Sequence, residues 1–128
     1  MAESDIPPEI LRFLEANIDT VPELETLLMM SRAPERGWLV SEIASHNYIT
    51  LPRAEDTLNA LHRRGLASRE STPTLFQFTP ASAEIRELVA DLDRCYQANL
   101  ARIATFIHSK PSASIREFAR AFDLKKDH

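Results

Sequence analysis

The chain has 128 residues, 44% of them hydrophobic, with fifteen lysines and arginines against nineteen acids and a net charge of −4. That length suits one structural unit around one core rather than two domains, and no stretch approaches the ~18 uninterrupted apolar residues of a membrane span. A single cysteine, Cys95, excludes an intrachain disulfide, and the opening Met-Ala-Glu-Ser-Asp lacks a signal-peptide pattern, so a cytoplasmic location without membrane contact is expected.

The N-terminal third is predicted to be helical. Pro7-Pro8-Glu9 opens a helix with Ile10, Leu11, Phe13, Leu14 and Ile18 inward and Asp19 at its end. Thr20-Val21-Pro22-Glu23 is a capping box, in which hydroxyl and carboxylate each satisfy an exposed amide, and it launches a second helix through Leu24, Leu27, Leu28 and Met30. A short loop, Ser31 to Arg36, leads to Gly37-Trp38-Leu39, a plausible short strand.

Ser41 to Leu66 reads as a helix-turn-helix. Ile43 and Ala44 form the inward side of a first helix, Ile49 plugs the turn, and Ala54, Leu58 and Leu61 recur at helical spacing on a second. Thr50 caps that second helix, Pro52 is tolerated in its first turn, and Gly65 supplies the left-handed residue that ends it. Leu66 to Glu70 and Leu75 to Thr79, joined by Ser71-Thr72-Pro73-Thr74, predict a small hairpin.

From Thr79 to Ser109 no proline or glycine interrupts the chain after Pro80, and Ile85, Val89, Leu92, Tyr96, Leu100, Ile103 and Ile107 recur at steps of three and four. One helix roughly 40 Å long is predicted from ~1.5 Å per residue. Its apolar stripe is longer than a small body covers, so a second copy is the expected partner, with Ile85, Leu88, Leu92, Tyr96, Leu100, Ile103 and Ile107 as the dimerisation residues. A helix folded back on its own chain is the alternative. Leu88, Cys95, Asn99 and Phe106 form a neighbouring stripe, so one face can meet the body and the other a twofold-related helix. After Lys110-Pro111, Ser114-Ile115-Arg116-Glu117 is a further capping box, opening a short helix with Ile115, Phe118, Ala119 and Phe122 inward.

The order of elements is that of a winged helix, mainly α with a small β-hairpin wing (α+β). Residues 20 to 80 resemble the DNA-binding domain of bacterial MarR and PadR type regulators, with Glu42-Ile43-Ala44 in place of the usual acid-Leu-Ala and Arg63-Arg64-Gly65-Leu66 in place of the usual basic-Gly-Leu exit. The resemblance implies a winged-helix domain over 1–80, with the helix-turn-helix at about 40–65 and the wing at about 66–79. A long C-terminal helix plus a short terminal one over 81–128 would serve dimerisation within the same unit. It implies a bacterial DNA-binding transcriptional regulator acting as a homodimer on double-stranded DNA. In the family pattern the outward positions of the recognition helix match Pro52, Arg53, Asp56 and Asn59, so Thr50, Pro52, Arg53, Asn59, Arg63, Arg64 and Arg69 are the expected DNA-binding residues. Arg53 suits guanine, Asn59 suits adenine, and Arg63, Arg64 and Arg69 suit phosphates. A favourable interaction of Arg63 and Arg64 with the helix C-terminal dipole is the alternative use of that pair.

Charge favours a different class. Residues 37–79 hold four acids, Glu42, Glu55, Asp56 and Glu70, and four bases, Arg53, Arg63, Arg64 and Arg69. A DNA-binding surface normally clusters bases, because neutralising phosphates supplies most non-specific affinity. Tyr48 stands where the turn of the family commonly has glycine. The second hypothesis is therefore a winged-helix module that binds another protein and no DNA. No enzyme activity is expected, because no catalytic constellation is present. Glu42 and His46 lie four apart on one helix but lack further ligands, so no metal and no cofactor is expected. Cys95 lies in the apolar stripe as an inert thiol, and Trp38 is expected in the core between the sheet and the long helix.

Overall fold

The computed structural model describes residues 6–110. Its order is α1 (Pro8–Asn17), α2 (Val21–Arg32), α3 (Val40–Asn47), α4 (Leu51–Arg63), β1 (Ala67–Ser71), β2 (Thr74–Phe78), α5 (Ala83–Ala98) and α6 (Leu100–Ser109). The predicted helix at Ser114 to Phe122 lies outside the described residues.

Local chemistry explains most boundaries. Pro8 starts α1, where a missing amide proton costs no hydrogen bond. Thr20 Oγ1 accepts the Glu23 amide at 3.1 Å, while the Glu23 carboxylate accepts the amide of Asp19 at 2.8 Å, so the capping box reaches one residue further back than expected. Glu42 plays the same part for α3, accepting the Leu39 amide at 2.8 Å. Tyr48 ends α3 in the left-handed region at φ 56°, where a non-glycine residue costs roughly 1–2 kcal/mol. Thr50 caps α4, and Gly65, at φ 77°, turns the chain out of it.

β1 and β2 pair antiparallel with Ala67 opposite Phe78 and Ser71 opposite Thr74. The expected third strand is a single bridge, in which Trp38 and Phe76 exchange backbone hydrogen bonds of 2.7 and 2.9 Å. Leu14 and Ile18 of the N-terminal segment, Leu24 and Leu28 of α2, Leu58 and Leu61 of α4 and Phe76 of the hairpin are fully buried in one core. Each such side chain contributes about 1.5–3 kcal/mol by leaving water.

The C-terminal half differs from expectation in two ways. The single helix from Thr79 to Ser109 is two helices, because Asn99 (φ −133°, ψ 40°) leaves helical geometry between them. Its side-chain amide donates to the Cys95 carbonyl at 3.1 Å, beside its own backbone amide at 2.9 Å, so the corner forms without proline or glycine and keeps that carbonyl bonded to two donors. The start also moves, since Ser82, not Thr79-Pro80, caps α5 by accepting the Ile85 amide at 3.2 Å. Folded at Asn99, the pair wraps the body, and Val89, Leu92, Tyr96, Ile103 and Ile107 are buried in the chain's own core. The stripe therefore finds its cover within the chain, which removes the length argument for a partner copy.

Candidate nucleic-acid interface

α4 buries Ala54, Thr57, Leu58, Ala60 and Leu61. At 3.6 residues per turn the opposite strip is Pro52, Asp56, Asn59 and Arg63, half-buried at Asn59 and exposed elsewhere. Arg53 is exposed beside that strip, and Thr50 Oγ1 accepts its amide at 3.2 Å to close the first turn. Among the described residues neither Arg53 nor Arg63 has a side-chain partner. Glu55 and Asp56 share the exposed side, so the face carries both signs.

Arg64 departs from the expected phosphate contact. Its guanidinium donates to Glu23 at 2.7 Å, to Asp19 at 3.1 Å and to the Asn17 carbonyl at 2.5 Å, which commits it to the corner between α1 and α2. The dipole alternative does not account for it either, because its partners lie on other elements. Lys110 meets the same corner from the end of α6. Its side chain is 6% exposed, and the ammonium donates to the carbonyls of Leu14 and Glu15 at 2.8 Å each and to that of Ile18, and stands 3.4 Å from Asp19. Asp19 thus lies between two cations that come from distant parts of the sequence. The partners are 45 and 91 positions away, so no local pattern announced them.

The wing presents Arg69, exposed, with its guanidinium carbon 5.8 Å from the Phe76 ring centroid. His62 Nδ1 donates to the Ala67 carbonyl at 2.9 Å and ties the end of α4 to the wing. Trp38 is a core residue, as expected, but its ring meets the loop before α3 and α3 itself. Arg36 stacks 3.6 Å from its centroid and His46 meets it edge-on at 5.6 Å. Its indole N–H is buried without a hydrogen-bond partner among the described residues. The Glu42 carboxyl is held below the usual range, chiefly by the Leu39 amide and further by Arg36. Among the described residues no three His, Cys, Asp or Glu side chains cluster as metal ligands, and no helix is long and apolar enough to cross a membrane.

No family model matches this chain, and no curated protein does. Solved structures do match. Rv2887, a MarR family protein of Mycobacterium tuberculosis, is similar at 27% identity and a TM-score of 0.54, over 93% of this chain and 83% of its own. A mutant of MepR from S. aureus, bound to an oligodeoxyribonucleotide, is similar at 18% identity and a TM-score of 0.53, over 92% of this chain and 84% of its own. The fold is that of a MarR-type winged-helix protein.

In this MarR-type fold the expected dimerisation residues separate into two sets. Leu92, Tyr96, Ile103 and Ile107 face the core, whereas Ile85 and Leu88 are half-buried and Leu100 is 54% exposed. Tyr96 also donates its hydroxyl to Glu25 at 3.1 Å, and burial, followed by the Glu25 charge, pushes its pKa up to about 12. Apolar surface remains where α1 meets α6, in a groove of about 440 Å³ lined by Ile6, Pro8, Leu11, Arg102 and Phe106. Tyr48, which sequence reasoning placed in the turn, and Leu51, the first residue of α4, are among the large apolar groups that stay exposed. A tyrosine at a left-handed turn was the only signal that could have singled them out.

Proposed function

We propose that this chain is a non-enzymatic bacterial transcriptional regulator that binds duplex DNA as a homodimer. The observation that carries the proposal is the exposed strip of α4, where Pro52, Asn59 and Arg63 with neighbouring Arg53 lie opposite Ala54, Leu58 and Leu61, on a fold shared with a protein solved on an oligodeoxyribonucleotide. Helices so placed enter the major groove, with one copy per half-site. Arg53 and Asn59 read bases, Thr50 and Pro52 approach the backbone at the helix start, and Arg63 and Arg69 meet phosphates. Arg64 drops out of that set and acts by holding α4 against the body. Residues 1–80 form the reading part and 81–128 the assembling part, with Leu88, Leu100 and the α1–α6 groove as the surface for the second copy.

The test is a gel shift with duplex DNA flanking the chain's own coding sequence, together with light scattering. Twice the chain mass at micromolar concentration is expected, with an affinity that falls steeply between ~50 and ~200 mM salt, with a log–log slope near −0.9 per phosphate contacted. Arg53→Ala loses preference among sequences, and Arg63→Ala weakens all of them alike. Replacing Glu55 and Asp56 by neutral residues strengthens non-specific binding. If wild type and that double variant both ignore DNA at low salt, the winged-helix protein-interaction module takes the regulator's place.

A further inference from the structure

The N-terminal end of α4 carries an apolar tip. Tyr48 is 95% exposed in its left-handed turn, and Leu51, the first helical residue, is 56% exposed. Single exposed apolar groups are ordinary, but these two stand three positions apart on either side of the N-cap Thr50, where the unpaired amides of a helix start also point outward. Glycine would occupy the Tyr48 backbone without strain. The ring is thus present at a cost to stability and meets no core.

The chemistry such a tip can read in a major groove is narrow. Base edges there are polar except for one apolar group, the 5-methyl of thymine. Glu55 and Asp56 on the following turn disfavour close approach to phosphates and favour the base edges instead, where carboxylates accept from the cytosine amino group. On the premise that the chain binds duplex DNA, we propose that Tyr48 and Leu51 are specificity-determining residues that pack on thymine methyl groups.

The test uses the full chain and the duplex flanking its own coding sequence, prepared either with thymidine or with deoxyuridine, which lacks only that methyl. Fluorescence anisotropy should show weaker binding of the deoxyuridine duplex, by roughly fourfold for each methyl read, the worth of one buried methylene. Tyr48→Gly should melt at a higher temperature than wild type, since the left-handed strain is gone, and yet discriminate less between the duplexes. Tyr48→Gly with Leu51→Ser should bind both equally. A wild type that binds the two duplexes with the same affinity overturns the assignment, leaves DNA binding intact and gives the tip to a protein surface. A wild type that binds neither, even at low salt, overturns the assignment and the regulator together.

Discussion

The two ends of α4 are held in opposite ways. Its C-terminal end is fastened to three other parts of the chain, by Arg64 to Asp19 and Glu23, by His62 to β1 and by Leu66 to the core. Its N-terminal end is closed by bonds within its own first turn, from the Arg53 amide to the Thr50 hydroxyl and from the Ala54 amide to the Thr50 carbonyl, and projects Tyr48 and Leu51 into solvent. A helix built to meet a surface needs this asymmetry. The far end fixes its direction, while the near end stays unencumbered so that its side chains remain available.

The largest effect should come from Arg64→Met, which leaves Asp19 and Glu23 without their guanidinium. A loss of about 2–4 kcal/mol is expected in urea unfolding, somewhat less than for a fully buried pair because the corner is partly hydrated. A loss near zero would break the comparison. Next is the cycle of Arg64→Met with Lys110→Met. These two cations share Asp19, so their effects should be non-additive by about 0.5–3 kcal/mol, whereas independent anchors would sum. At the near end Thr50→Ala should cost only about 1 kcal/mol, the worth of one cap, with no coupling to either cation. The smallest effect is a pH dependence far from α4. The folded Tyr96 hydroxyl ionises near pH 12 and an unfolded one near ~10, so its contribution is whole below pH ~10 and is lost as pH rises toward 12. Tyr96→Phe should flatten that alkaline loss in stability measured across the window.

Legibility followed the range of the interactions. Thr50, Gly65 and the Ala54-Leu58-Leu61 spacing declare α4 from within its own segment, and the structure places each as read. The hairpin came through with each strand displaced by one residue at both of its ends. What stayed hidden depended on distant partners or left no mark in the local sequence. Nothing near Arg64 names Asp19, and nothing near Lys110 names the carbonyls of Leu14 and Ile18. The break at Asn99 has no breaker residue to mark it, and the bond from its side-chain amide to a carbonyl four residues back is one that asparagines in intact helices also make. That break turned a stripe expected to face a partner into one facing the body. For the candidate site, the helix and its outward residues were readable, while the diversion of Arg64 and the exposure of Tyr48 and Leu51 required the folded chain.

The corner at Asn99 also sets a numerical constraint on the chain. Tyr96 and Ile103, seven residues apart across it, both face inward, so the angular phase of the apolar side survives the bend. A residue inserted or deleted at that corner would rotate everything downstream by about 100° about the α6 axis. Ile103 and Ile107 would swing out of the core, and Lys110 would leave the end of α1. Substitutions at the corner are therefore tolerable where changes of length are not, and sequences that diverge freely around position 99 should nonetheless conserve the count of residues between Tyr96 and Lys110.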